Sequence, residues 1–419
     1  MLLRFQVSNH RSILDPVELS LIAVDEDRPA TRSFELLSQQ VLTVAGVYGP
    51  NASGKSNLLD AIAWLSSAVA TSLRGWDDFI PRDPHRFGKG PTTPSLFGLD
   101  IVVDGVRYEY QLEVEDSAVR YESLHSYPER RRRTLFERHD TDIRFRRGLK
   151  ETGGTQELLT PSTLALSAAI RFKNPQMWRV GRAIAGMRSL GLRRPWHRRL
   201  SLHDPSSSSL RLFTDEHGVR QEQLFGTAAG HARPLDLLRF ADPGIDDVRL
   251  TETDDEGGPG PRRRLRFVHR VDDEPVAFEL EQESAGTQTW FRLIGPALGA
   301  LRDGRVLLFD EIDASLHPRL SARLLELFQD PQTNPRGAQL IFTTHDTSLL
   351  NVMNRDEVWL TEKEPDGTSR LVGLAEFGGE RVRKSLNLER AYLQGRFGAV
   401  PEVDQIAVRE ALGIASAAL

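Results

Sequence analysis

Apolar and polar positions alternate along this chain with a period that changes several times. LRFQV at 3–7, VELSLIAV at 17–24 and VLTVAGVY at 41–48 read as short strands, the last an unbroken apolar run leading to a glycine. A helical pattern opens at Gly54 and continues through LLDAIAWLSSAVATSL. Residues 95–146 then alternate in period two through LFGLDIVVDG, VRYEYQLEVED, VRYESLHSY, TLFERHD and DIRFRR. Turn pairs Asp104-Gly105 and Glu115-Asp116 separate some of these segments, which predicts an antiparallel meander closed by the glycine pair at 153–154. Over 160–238 the period becomes helical, with Met177, Val180, Ile184 and Met187 on one face and Arg179, Arg182 and Arg188 on the others. Pro175 and Pro195 punctuate that stretch, and DPSSSSL at 204–210 reads as a flexible loop.

Strand patterns return near 239–280 as IDDVRL, RRRLRFVHR and PVAFELEQ. From 286 helix and strand alternate: a helix to about 301, RVLLFDE, a helix at 318–329, AQLIFTT, a helix from 346, then DEVWLTE. Such alternation predicts a parallel α/β sheet. The expected organisation is one α/β domain split in sequence. Residues 1–154 form its first half, 155–238 a helical basic insertion, 239–375 its second half, and 376–419 a helical tail.

Composition narrows the chemistry. The 419 residues are 39% hydrophobic and 27% charged, with a net charge of -5, so the molecule as a whole is not built to attract polyanions. No cysteine is present, which excludes disulfides, a thiol nucleophile and thiolate zinc sites. The sequence opens without the apolar run of a secretory signal and contains no stretch of about 18 apolar residues, so a cytoplasmic protein with no membrane span is expected.

Residues 49–56, Gly-Pro-Asn-Ala-Ser-Gly-Lys-Ser, complete a G-x-x-x-x-G-K-S loop between an apolar strand and a helix. Glycines let consecutive N–H groups turn inward as an anion nest, and the helix N-terminus adds partial positive charge. Nucleotide contacts are expected from Gly49, Pro50, Asn51, Ala52, Ser53, Gly54, Lys55, Ser56 and Asn57. Lys55 would reach the β- and γ-phosphates, and Ser56 would ligate Mg²⁺. Downstream, Val-Leu-Leu-Phe at 306–309 runs into Asp310 and Glu311. Ligands of open α/β sheets bind beyond the carboxyl ends of such strands. Asp310 is therefore the second candidate Mg²⁺ holder, and Glu311 the candidate base for the attacking water. His345 follows a third apolar strand, which suits a γ-phosphate contact.

The order of these elements, with Glu283-Ser284-Ala-Gly286-Thr-Gln288 between loop and acidic strand, resembles the ABC-type ATPases, particularly the SMC/RecF-like branch. The resemblance implies an ABC-type P-loop head with an antiparallel β subdomain and a helical insertion before the signature motif. It implies ATP and Mg²⁺ as ligands, and a homodimer in which Ser284 and Gly286 of one subunit cover the nucleotide held by Lys55 of the other. Asp313-Ala-Ser315-Leu-His-Pro resembles the dimer-facing loop, and Asn9-His10-Arg11-Ser12 an element whose Arg11 and Ser12 approach the phosphates. Ala285 and Thr287 depart from the usual signature. The stretches LLRFADPGIDDV (237–248) and LERAYLQGRFGAVPEVD (388–404) resemble a stand-alone bacterial ATPase family, many of whose members lie in abortive-infection and phage-defence loci. The resemblance extends to the ATPase subunit of PARIS-type systems. Related OLD-type nucleases append a Toprim domain; only 74 residues follow His345 here, without an Asp-x-Asp, so a nuclease-like effector is expected on a separate partner.

Residues 171–211 carry ten Lys or Arg against the single acid Asp204, with Phe172, Trp178 and Trp196 interleaved. Nucleic acid, an acidic protein partner or plain solvation each fit that pattern. The motifs point to an Mg²⁺-dependent ATPase; the resemblance implies a phage-defence sensor or scaffold, with a DNA-binding repair ATPase of RecF type as the alternative.

Overall fold

The computed structural model describes residues 1–34, 37–146, 153–171, 175–192, 205–214, 234–253, 262–272, 274–314, 316–377 and 387–400. Its central sheet is six-stranded, in the order Arg188–Leu190, Val306–Phe309, Gln339–Thr343, Val44–Tyr48, Val358–Lys363, Ser369–Gly373. The first five strands run parallel and the last antiparallel. Val44–Tyr48, Val306–Phe309 and Gln339–Thr343 are buried at every position. That is the signature of parallel strands covered on both faces.

Period two divides these strands between two cores. Ala45, Val47, Leu308 and Ile341 pack with the helix Lys55–Gly75, whereas Val44, Leu307, Leu340 and Phe342 pack with the helices Ala285–Asp303 and Pro318–Gln329. The first helix is buried at 13 of its 21 positions because it has sheets on two sides. Opposite the central sheet lies a seven-stranded antiparallel sheet, in which Leu2–Ser8 and Val17–Ser20 extend the meander of residues 95–145. Asp104 and Gly105 both have positive φ, 50° and 76°, as the hairpin turn between two of its strands requires.

The structure differs from the sequence expectation in several segments. The run at 41–48 is not one strand: Val41–Leu42 pairs with Thr31–Arg32, and the chain passes to the central sheet at Val44. Residues 188–190 are not helical but form the edge strand beside Val306–Phe309. The serine-rich segment is a helix, Pro205–Thr214, rather than a loop. Proline starts it, and its small side chains let it approach the helix Ala285–Asp303 so closely that a Cβ on Gly295 would sit 2.4 Å from the Ser209 nitrogen. The third sheet, Ile245–Thr253, Arg262–Val271 and Glu274–Glu279, is antiparallel and leads into the Glu283–Ser284 segment. Among the described residues, no helix is long and apolar enough to cross a membrane.

Candidate functional site

The loop 49–56 leaves the carboxyl end of Val44–Tyr48 and enters its helix at Lys55. Gly49, Ala52 and Gly54 have φ of 150°, 63° and 108°, so the turn uses conformations in which a side chain is strained at both glycines. Space is also short. A Cβ on Gly49 would lie 2.3 Å from the Thr361 carbonyl oxygen, and one on Gly54 2.2 Å from the Ser369 hydroxyl. These contacts come from the hairpin Val358–Lys363/Ser369–Gly373, which braces the loop from behind. Ser53 Oγ lies 2.6 Å from Thr361 Oγ1, and Ser369 Oγ donates to the Ser53 carbonyl at 2.7 Å.

Ser12 joins the same network. Its hydroxyl lies 2.6 Å from Ser369 Oγ and accepts from Asn57 Nδ2 at 2.6 Å. Arg11, with φ of 51°, faces elsewhere: its Nε sits 3.2 Å from Asp60 and 3.3 Å from Asp83. Asp60 also holds buried His10 at 2.9 Å, so the Asn9–Ser12 turn clamps the first turns of the loop's helix. Asn51 and Ala52 are exposed at the loop's tip, and Ser56 is half-buried in the helix's first turn.

Lys55 Nζ folds back to donate to the Gly49 and Pro50 carbonyls at 2.8 and 3.0 Å. Burial lowers its pKa to about 8, against the opposing pull of Asp310, Asp313 and Glu311. The acids stand at the end of Val306–Phe309. Thr343, on the adjacent strand, serves both: its hydroxyl donates to Asp310 Oδ1 at 2.7 Å and accepts from the Glu311 N–H at 2.7 Å. Glu311 sits at a φ of 55°, a left-handed conformation that costs a non-glycine residue about 1 kcal/mol. Gly191 permits the close pass of the edge strand, since a Cβ there would lie 2.3 Å from the Asp310 carbonyl oxygen.

His345 follows Gln339–Thr343, is exposed, and donates its N–H to the Asp313 carboxylate at 3.2 Å. Its pKa is lowered, first by partial desolvation of the ring, which is only partly covered, and then by Lys55. Lys55, Asp310, Glu311 and His345 therefore belong to one electrostatic neighbourhood at the carboxyl ends of adjacent parallel strands. Ser315 in the following loop lies outside the described residues.

Ser284 and Gly286 belong to a different element. Ser284 is the exposed N-cap of the helix Ala285–Asp303, its hydroxyl accepting from the Thr287 N–H at 3.1 Å. Gly286 is half-exposed in the same turn. Of the basic segment, Arg179 pairs with Asp104 at 2.9 Å, and Arg182 lies 5.6 Å over the exposed ring of Trp178. Lys173, Arg193, Arg194, Arg198 and Arg199 lie outside the described residues.

Thr343, Thr361, Ser369 and Asp60 escape a motif reading because each is an ordinary residue in an ordinary strand or helix. The only sequence cue is the Thr-Thr before His345, whose first member orders both acids.

A comparison with curated proteins finds none that matches. Among solved structures, the chain is similar to an SMC head bound to the C-terminal winged-helix domain of ScpA, at 12% identity over 88% of this chain and 97% of that one, with a TM-score of 0.44. It is also similar to the SMC head domain from Thermotoga maritima, at 12% identity over 89% and 98% of the chains, TM-score 0.39. A third is the Pyrococcus furiosus SMC head with an extended coiled coil bound to the C-terminal domain of ScpA, at 14% over 90% and 97%, TM-score 0.40. The family model described as "AAA domain, putative AbiEii toxin, Type IV TA system" matches residues 44–351, which run from the strand before the phosphate loop to just beyond His345. The chain belongs to that AAA-domain family and is a P-loop ATPase.

Proposed function

We propose that ATP closes two copies of this chain head to tail, and that hydrolysis reopens them to control a separately encoded effector in anti-phage defence. The observation that carries the reading is the exposed Ser284–Gly286 turn. A helix N-terminus carries partial positive charge that suits a phosphate, and the surface position of this N-cap suits a phosphate held by another copy. Lys55, in its protonated form, supplies positive charge to the β- and γ-phosphates. Glu311 orients the attacking water and accepts its proton, while His345 faces the γ-phosphate. Arg11 and Ser12 support the loop from its helix side.

Mg²⁺ fits the donor set, a serine hydroxyl and an aspartate carboxylate being hard oxygen ligands. Ser56 and Asp310 would hold it, and when bound it would neutralise charge on the transferred phosphoryl group. The defence role draws on the abortive-infection family, and the effector on the likeness to nuclease-linked relatives. A cytoplasmic location belongs to the same reading.

Glu311→Gln tests the mechanism. Hydrolysis should fall at least about 100-fold while ATP still binds and a dimer accumulates in sedimentation; a variant that keeps turning over removes Glu311 from the role. A second reading, a DNA-binding repair ATPase, is favoured by the Arg182–Trp178 stack in the basic segment. Duplex or single-stranded DNA that stimulates turnover, with a steep loss at higher salt, would select it.

A further inference from the structure

Four glutamates lie between 274 and 283, and three of them, Glu274, Glu279 and Glu281, are at least partly exposed to water. Glu283 is the exception. Its side chain is only 5% exposed and meets His269 Nε2 at 2.9 Å. His269 lies on the middle strand of the three-stranded sheet, and Phe278 meets its ring edge-on at 5.2 Å. The loop at Asp242–Gly244 closes the other side, where Asp242 accepts the Gly244 N–H at 2.9 Å. Nearby guanidiniums serve other groups: Arg270 pairs with Asp246, and Arg239 donates to the Ile245 and Asp246 carbonyls.

Burying a carboxylate costs stability that one histidine partner does not clearly return, whereas the same pair fixes a geometry. Glu283 immediately precedes the N-cap Ser284, so its side chain sets the direction from which the chain enters the helix. A second tie follows at Trp290, whose ring N–H donates to the Leu237 carbonyl at 2.7 Å.

We infer that Glu283 and His269 are positioning residues that aim the Ser284–Gly286 turn at the nucleotide of the opposite copy. The inference rests on the head-to-tail reading above and adds the small sheet as the part that sets the turn. It predicts a division between two readouts. In E283A and H269A, binding of a fluorescent ATP analogue to the monomer stays within about twofold of wild type. ATP-driven dimerisation and kcat both fall about tenfold, the scale of one lost charge-assisted hydrogen bond. E283Q, whose amide oxygen still accepts from the imidazole, restores most of the loss.

S284R separates the two levels. If S284R leaves dimerisation intact, the head-to-tail reading itself fails. If S284R abolishes it while E283A and H269A do not weaken it, only the positioning role fails. Should E283A not fold, H269A, which removes the bond from the sheet side, decides the matter. Asp242, His269 and Glu283 also place possible ligand atoms within 4.8 Å of one another, so an ion is the competing account. Protein stripped with EDTA and assayed with Mg²⁺ alone should match untreated protein. A requirement for added Mn²⁺ or Zn²⁺ that H269A removes would overturn the inference.

Discussion

Ser53 in the phosphate loop is held by Thr361 and Ser369, 308 and 316 positions later in the chain, whereas Ser284 is held by Thr287, three positions on. The loop is wedged between hairpin and helix, with two glycines where no Cβ fits. The signature turn lies at the surface and depends on its own helix and a small sheet beside it. Long-range bracing fixes a site before its ligand arrives, and preorganised groups pay no reorganisation cost on binding. A locally capped, exposed turn keeps its shape yet leaves its outer face for another molecule. On the head-to-tail proposal above, the first region would bind the nucleotide tightly and the second would provide closure.

The largest test breaks the second region alone. S284R places a long cation on an exposed N-cap, where the helix N-terminus repels it. Monomer nucleotide affinity should hold within about threefold, while kcat falls at least about 100-fold and dimerisation is lost. If kcat and affinity fell together, the two regions would form one intramolecular site, and the contrast would be wrong.

A smaller effect is expected within the first region from Thr343→Val. The change keeps the shape of a fully buried side chain but leaves Asp310 Oδ1 and the Glu311 N–H without their shared hydroxyl. Unsatisfied buried groups cost about 1–3 kcal/mol each, so kcat should drop about 10- to 100-fold. Thr343→Ser, which retains the hydroxyl, should recover most of it. Loss in Thr343→Ser with none in Thr343→Val would show that the methyl group, not the hydrogen bonds, is what the acids require.

What could be read beforehand follows the range of the interactions. The meander was legible because period-two alternation and an Asp-Gly turn are local, and the strands at 95–145 fall where that pattern places them. The phosphate loop and the acids were legible because their chemistry demands particular residues in sequence. The helix at 205–214 was not: serines are weak helix formers, and what makes them helical is the close pass against Gly295. The edge strand at 188–190 is too short to show any period. Thr361 and Ser369 were invisible for the same reason they matter, since their partners lie across the fold. Glu283 could be named as the residue before the signature serine, but not as the one glutamate of that stretch whose side chain is nearly covered.

The mildest test sharpens the first region by pH. Burial holds the Lys55 ammonium at a pKa of about 8, while its ordinary value is 10.5. The charged form binds phosphate, so ATP affinity should be flat below about pH 7.5 and weaken several-fold between pH 8 and 9.5 as the free protein's lysine loses its proton. A bound triphosphate raises that pKa again, so binding at pH 8.5 should take up a fraction of a proton, seen as a calorimetric heat that varies with the buffer's ionisation enthalpy. The uptake should vanish in Lys55→Met, whose residual affinity should be independent of pH over this range. S284R, altered only at the outer turn, should show the wild-type uptake unchanged, because the lysine's neighbours are its own loop carbonyls and the three acids of the same chain. Uptake that disappeared in S284R would mean that the outer turn reaches Lys55 in the monomer, and the separation between the two regions would be lost.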